Sequence, residues 1–418
     1  MTTVSEFDPI FVHASARSGS TYFFNVLRRN KSLLCFNEAI IDGKRDYARF
    51  RGTLNGNSAP ATGAQNWNVN HHFLDRPDYA EFIDAWDAVM HLCPEFPTFP
   101  DYLPPKGVLP ADLTTYLAAL MAYARSQGKR PVLCEINSRG RAGALRGAFG
   151  GFHVTQYRDP LSQFGSYIRP LIEAGTWGFL AHPVTELGTC RAHPLYRLVP
   201  EAWRAPDLPW QAETRALRWA SDARYTATVA SPRPENMEKV FGWHIFSWAL
   251  SNLAAISYSD LALDIDKAYA DAEYRASVTD SLAQRIGAAP DFSDLSKFDR
   301  YCEFESFDMA AVCGEVVSTI RDSLDDGRLD EALRTLGTQP PTTPTATAVE
   351  LLLAKIADSL ASMASSADRR IISDEDWAAI AEKNQKLWFN PNVRWFAQHF
   401  YPVVAPLVRT ARRVGMNL

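Results

Sequence analysis

Residues 10–21 read Ile10-Phe11-Val12-His13-Ala14-Ser15-Ala16-Arg17-Ser18-Gly19-Ser20-Thr21: an apolar, strand-like run that breaks into a polar turn with one glycine. The pattern that follows predicts a helix over 22–29. Strand, glycine turn and helix N-terminus in this order aim backbone N–H groups, the positive end of the helix dipole and two hydroxyls at one spot. A phosphate fits there. A Walker-type loop carries lysine directly after its last glycine, whereas here Ser20 follows Gly19 and the cation, Arg17, lies upstream. The loop therefore reads as P-loop-like without being the loop of a nucleoside triphosphatase.

A second segment narrows this. Gly151-Phe152-His153-Val154-Thr155-Gln156-Tyr157 predicts a buried strand that runs into Arg158-Asp159-Pro160, with Ser162 and Ser166 beyond. Arg158 leaves the strand at its carboxyl end, where open α/β sheets bind ligands, and Pro160 suits the first turn of a helix. Ser162 and Ser166, four apart, share one helical face. A guanidinium fork beside a hydroxyl suits a dianionic phosphate better than a point-charge ammonium does.

Together the two segments resemble the sulfotransferases that use 3′-phosphoadenosine 5′-phosphosulfate (PAPS), in particular a bacterial, carbohydrate-sulfotransferase-like branch. The resemblance spans about residues 8–290. It implies an α/β, P-loop-like three-layer fold around a central parallel sheet. It further implies that Arg17, Ser18, Gly19, Ser20 and Thr21 grip the 5′-phosphosulfate, that Arg158 and Ser166 hold the 3′-phosphate, and that Tyr22 lies against the adenine. The expected reaction moves a sulfuryl group from PAPS to an acceptor hydroxyl and releases adenosine 3′,5′-bisphosphate, with no metal. Two features depart from the cytosolic branch: Arg17 stands where lysine is usual, and the late arginine-lysine-glycine motif is absent.

Sulfuryl transfer needs in-line geometry, cover for displaced charge and a base for the acceptor. Arg17 and the loop amides are the expected cover, in the manner of an oxyanion hole. Glu38, after a second predicted strand at 33–36, is the leading base, and a glutamate in this place is similar to that of several bacterial and carbohydrate sulfotransferases. His71 and His72 are the alternatives, because the cytosolic branch uses histidine. Arg139 and Arg141, beyond a strand expected at 131–136, belong to the same sheet edge and could meet the nucleotide or an anionic acceptor. Trp177, Trp203, Trp210, Trp219, Trp243 and Trp248 crowd residues 165–250. Flat rings with one polar edge suit a sugar or glycolipid acceptor, and core packing is the plainer reading for most of them.

At 418 residues, 46% hydrophobic and 22% charged, the chain can bury a large core. The net charge of −5 argues against a broad nucleic-acid face. Six scattered cysteines without paired spacing argue against zinc and a disulfide framework, which suggests a reduced, cytoplasmic setting. No signal peptide is legible, and the longest apolar run, 241–258, is broken by His244, Ser247, Ser251 and Asn252, so no membrane span is expected. Residues 256–261 read as a late strand, and 266–287 as helices. The Pro/Thr-rich stretch 337–347 reads as a linker that divides a sulfotransferase-like domain, 1–336, from a helical C-terminal extension, 348–418. That extension, ending in Arg409, Arg412 and Arg413, could pack on the core, mediate dimers or touch an anionic surface. Two rivals to the sulfotransferase reading stay open: a small-molecule kinase with a degenerate P-loop, and a non-catalytic nucleotide- or glycan-binding protein.

Overall fold

The computed structural model describes residues 8–40, 79–94, 102–174, 178–205, 234–287, 289–296, 300–367 and 369–388. They pack as two compact units, one formed by Met1–Arg158, Ser251–Phe298 and Leu333–Ala348, the other by Asp159–Leu250, Asp299–Ala332 and Val349–Leu418.

The first unit is an α/β layer structure. Strands β1 (Ile10–His13), β2 (Leu33–Asn37), β3 (Arg130–Glu135), β4 (Phe152–Tyr157) and β5 (Leu261–Asp264) form a five-stranded sheet in the order β2-β3-β1-β4-β5. Every pairing is parallel, so all five carboxyl ends lie on one edge. The strands are buried on both faces and sort their side chains by alternation. Ile10, Val12, Cys35, Val132, Cys134 and Val154 pack with the helices Ser20–Arg28, Ile265–Ala270 and Ala272–Ile286. Phe11, Leu34, Phe36 and Leu133 face the opposite way, against Ala80–Asp84, Ala111–Ser126 and Ala142–Phe149. Helices on both faces of a parallel sheet give the three layers expected from the sequence.

β1 sits at the centre with β3 on one side and β4 on the other. The chain leaves β1 toward the β2–β3 half and later crosses to the β4–β5 half, so the order reverses at β1. Open α/β sheets bind ligands at such a switch point, outside the carboxyl ends.

The late strand departs from the sequence reading. Ile256 and Ser257 still belong to the helix Pro234–Ser257, and the strand begins only at Leu261. Two tight turns, Tyr258 N–H to Ala255 and Ser259 N–H to Ile256, close the helix before Asp260 N–H reaches the His153 carbonyl. A β-branched and aromatic helix end resembles a strand when only local pattern is visible.

The second unit contains a two-stranded parallel sheet, β6 (Cys302–Phe304) with β7 (Arg370–Ile372), among the helices Pro160–Ala174, Gly178–Thr189 and Met309–Asp325. Asp159 is its polar hub. The carboxylate accepts from Ser162 N–H at 2.8 Å, from the Tyr301 hydroxyl at 2.7 Å and from the Ser359 hydroxyl. Trp377 meets Phe304 edge-on at 6.0 Å.

Each unit is built from separated stretches of the chain. Ser359, β7 and Trp377 belong to the same unit as residues 159–250. The Pro/Thr-rich stretch is packed as well: Thr342 N–H donates to the Ser257 carbonyl at 2.7 Å and its hydroxyl to Ser259 at 3.1 Å. Backbone partners within the first unit take the place of solvent, a pairing that composition does not reveal. Among the described residues no helix is long and apolar enough to cross a membrane. All six cysteines are buried free thiols.

Candidate functional site

The loop between β1 and the first helix crosses the carboxyl edge at the switch point. Ser18 folds it inward: its N–H and its hydroxyl both donate to the Ser15 carbonyl, at 3.2 and 2.7 Å, and its side chain is buried. Gly19 caps the helix Ser20–Arg28 with φ 85° and ψ 15°, a left-handed conformation that only glycine adopts without strain. The N–H groups of Gly19, Ser20 and Thr21 make no hydrogen bond to any described residue, as expected of the first turn of a helix. Ser20 and Thr21 are half-buried, with both hydroxyls at this helix start.

Three non-glycine residues among those described have positive φ: Arg17 at 61°, Glu38 at 53° and Lys106 at 57°. Two of them are the residues to which the sequence assigns the chemistry. A left-handed backbone at a bulky residue costs about 1–3 kcal/mol and persists where surrounding contacts impose it. At Arg17 the imposing contact is visible: Arg158, almost fully buried, donates through Nη1 to the Arg17 carbonyl at 3.0 Å. Arg158 also lies 4.0 Å from Asp266, beyond the end of β5. The structure thus brings Arg17 and Arg158 together across adjacent strands.

Glu38 follows β2, and its N–H extends the ladder to the Cys134 carbonyl at 2.7 Å. Its carboxylate accepts a 2.5 Å hydrogen bond from the Tyr79 hydroxyl. Tyr79 opens the helix Ala80–Asp84, which is fastened from the other side by a two-pronged pair of Glu81 with Arg28, at 2.8 and 2.9 Å. The chain just past Glu38 is fixed to β3, since Ile40 N–H donates to the Glu135 carboxylate at 3.0 Å and the Asn137 amide donates to the Ile40 carbonyl at 3.2 Å. β3 lies between β1 and β2, so the glutamate and the loop are rooted two strand spacings apart, about 10 Å.

Beneath the loop runs a buried polar chain. His153 Nε2 donates to the Gly150 carbonyl at 2.9 Å, which leaves His153 Nδ1 to accept from His13 Nε2 at 2.9 Å. His13 Nδ1 must then accept from the Ser138 hydroxyl at 2.7 Å. Each step fixes the tautomer of the next, and both rings are neutral. Burial holds His13 well below the usual histidine range and brings His153 down to about 4, with Arg146 adding repulsion at both rings.

Other expected site residues behave differently. Tyr22 is 7% exposed, packs toward Phe292 and donates its hydroxyl to Asp294 at 3.0 Å. Burial and Asp294 raise its phenol further above the ordinary range. The Ser18 N–H and hydroxyl both go to the Ser15 carbonyl, unlike the N–H groups of Gly19, Ser20 and Thr21. Ser166 lies in the second unit, buried, and gives its proton to the Ser162 carbonyl at 3.1 Å. Arg139 and Arg141 are both buried, with Arg141 donating to the Asn137 carbonyl at 3.0 Å and lying 5.7 Å from the Tyr102 ring. Trp203, Trp243 and Trp248 are buried, the first bonded to Glu315. His71, His72, Trp177, Trp210 and Trp219 lie outside the described residues, as do Arg409, Arg412 and Arg413.

Sequence reasoning missed two residues. Gln156 in β4 donates to the Ser18 carbonyl at 2.8 Å, and its only signal is an amide in an otherwise strand-like buried run. Tyr79 had none, being 41 residues from Glu38. Among the described residues no three His, Cys, Asp or Glu side chains converge as a metal group. Comparison of the chain with family models, with curated proteins and with solved structures gives no match.

Proposed function

We propose that the chain is a PAPS-dependent sulfotransferase acting on an acceptor hydroxyl, with a carbohydrate or glycolipid as the acceptor class. The observation that carries this reading is the hydrogen bond between Arg158 and the Arg17 carbonyl. It joins a guanidinium at the end of β4 to a P-loop-like turn after β1, and PAPS is a ligand with anionic groups at both ends of one nucleoside. A loop with arginine upstream and no lysine after its glycine suits a sulfuryl group, which carries less negative charge than a phosphoryl group.

In this reading the acceptor hydroxyl gives its proton to Glu38 as its oxygen attacks sulfur. The bond from sulfur to the bridging oxygen of the 5′-phosphate breaks in line with the attack, and adenosine 3′,5′-bisphosphate leaves. Charge that moves onto the bridging oxygen meets Arg17 and the N–H groups of Gly19, Ser20 and Thr21. Tyr79 orients the Glu38 carboxylate that takes the proton.

The test is release of adenosine 3′,5′-bisphosphate from PAPS in excess chelator, with a panel of sugar, glycolipid and phenol acceptors. Acceptor-dependent release is expected. Inertness toward PAPS, coupled with consumption of ATP that requires Mg²⁺, would replace the reading with a kinase.

A further inference from the structure

Two side chains at the carboxyl end of β4 reach under the loop, Gln156 within the strand and Arg158 just past it. Arg158 takes the Arg17 carbonyl and Gln156 takes the next one, Ser18, at 2.8 Å. Consecutive loop carbonyls are thus held by side chains two residues apart, one near the end of the strand and one just past it. Gln156 is fully buried, and its Oε1 finds no donor among the described residues. The Ser18 carbonyl alone therefore sets the orientation of the amide, because the flipped amide would put oxygen against oxygen.

The consequence lies in the peptide that follows. N–H and C=O point opposite ways across a trans peptide plane, so drawing the Ser18 carbonyl onto Gln156 turns the Gly19 N–H away from β4. It then stands with the N–H groups of Ser20 and Thr21. Gly19 is fitted to this arrangement twice, by its φ of 85° and because a Cβ there would come within 3.2 Å of Gln156 Nε2.

We propose that Gln156 is a positioning residue of the anion site, holding the peptide between Ser18 and Gly19 so that the Gly19 N–H is aimed before any ligand arrives. Gln156 acts through the loop and does not touch the ligand. The inference rests on the reading of this loop as the seat of the 5′ group.

Two variants of the full chain test it. Gln156→Met keeps the bulk and removes the donor; binding of adenosine 3′,5′-bisphosphate should weaken about five- to tenfold, while adenosine 3′-monophosphate, which lacks the 5′ group, should bind as to wild type. In the free protein the order parameter of the Gly19 N–H should drop from the rigid range near 0.85. Gln156→Glu can donate only while protonated, so its affinity relative to wild type should fall as pH rises and the carboxyl ionises. Equal losses for both nucleotides, an unchanged Gly19 order parameter or a pH-independent ratio for Gln156→Glu would overturn the proposal. Should wild type bind neither nucleotide, the sulfotransferase reading fails, and the order parameter still decides the role of Gln156.

Discussion

The guanidinium of Arg158 donates to the main-chain carbonyl of Arg17 at 3.0 Å, across a sequence separation of 141 residues. Arg158 therefore has two tasks in the proposed enzyme, bracing the loop and meeting the 3′-phosphate, and they can be separated.

Arg158→Ala should weaken adenosine 3′,5′-bisphosphate by about 1.5–3 kcal/mol through loss of a charge-assisted contact. Adenosine 5′-monophosphate should lose less, about 1 kcal/mol, through the loosened loop alone. Calorimetric titration of both nucleotides reads the difference. Identical losses would reduce Arg158 to a brace.

At Arg17 the strain and the charge are distinguishable because the backbone is left-handed. Arg17→Gly and Arg17→Ala should both lower turnover by about 10²–10³-fold, yet the glycine variant should be more stable than the alanine variant by about 1 kcal/mol. Arg17→Lys should keep measurable activity. Urea melts beside rate measurements check this, and an alanine variant as stable as glycine would contradict the observed conformation.

Glu38→Gln should cost about 10²–10⁴-fold in turnover with nucleotide affinity nearly intact. Tyr79→Phe removes the hydroxyl that holds the carboxylate and should fall between wild type and Glu38→Gln. Full activity in Glu38→Gln with collapse in His71→Ala or His72→Ala would move the base to a histidine.

The His13–His153 pair sets a pH dependence of stability. Both folded-state values lie below the usual histidine value, so the unfolded chain binds more protons and stability rises with pH. The contribution is complete above about pH 6.5 and fades as pH falls toward about 4, where the shift at His153 alone corresponds to roughly 3 kcal/mol. Asp260, held below the ordinary carboxylate range against burial by its hydrogen bonds to Arg146 and the His153 N–H, adds a loss of the same sign at still lower pH. Urea midpoints measured from pH 7 to 4.5 should fall. Midpoints that stay flat would mean that the rings are not buried as a neutral pair.

The sheet and its binding edge were legible because apolar runs of strand length alternate with helix-period segments and glycine marks the first turn. Glu38 and Arg158 could be placed on that edge because each directly follows a strand, and Arg17 and Gly19 because they lie in the turn between β1 and its helix. Legibility stopped where partners are remote. Nothing local tells that Tyr22 reaches Asp294 or that Thr342 completes the Ser257 turn. Asp159 shows the same limit: its motif marks a helix start, while Tyr301 and Ser359, which make it a hub, come from distant segments.

Calorimetric binding of adenosine 3′,5′-bisphosphate and of ATP, each with and without Mg²⁺, decides whether the loop and Arg158 serve PAPS or a nucleoside triphosphate. A PAPS site should bind the bisphosphate more tightly, unaffected by the metal. Preference for ATP that depends on Mg²⁺ would contradict it.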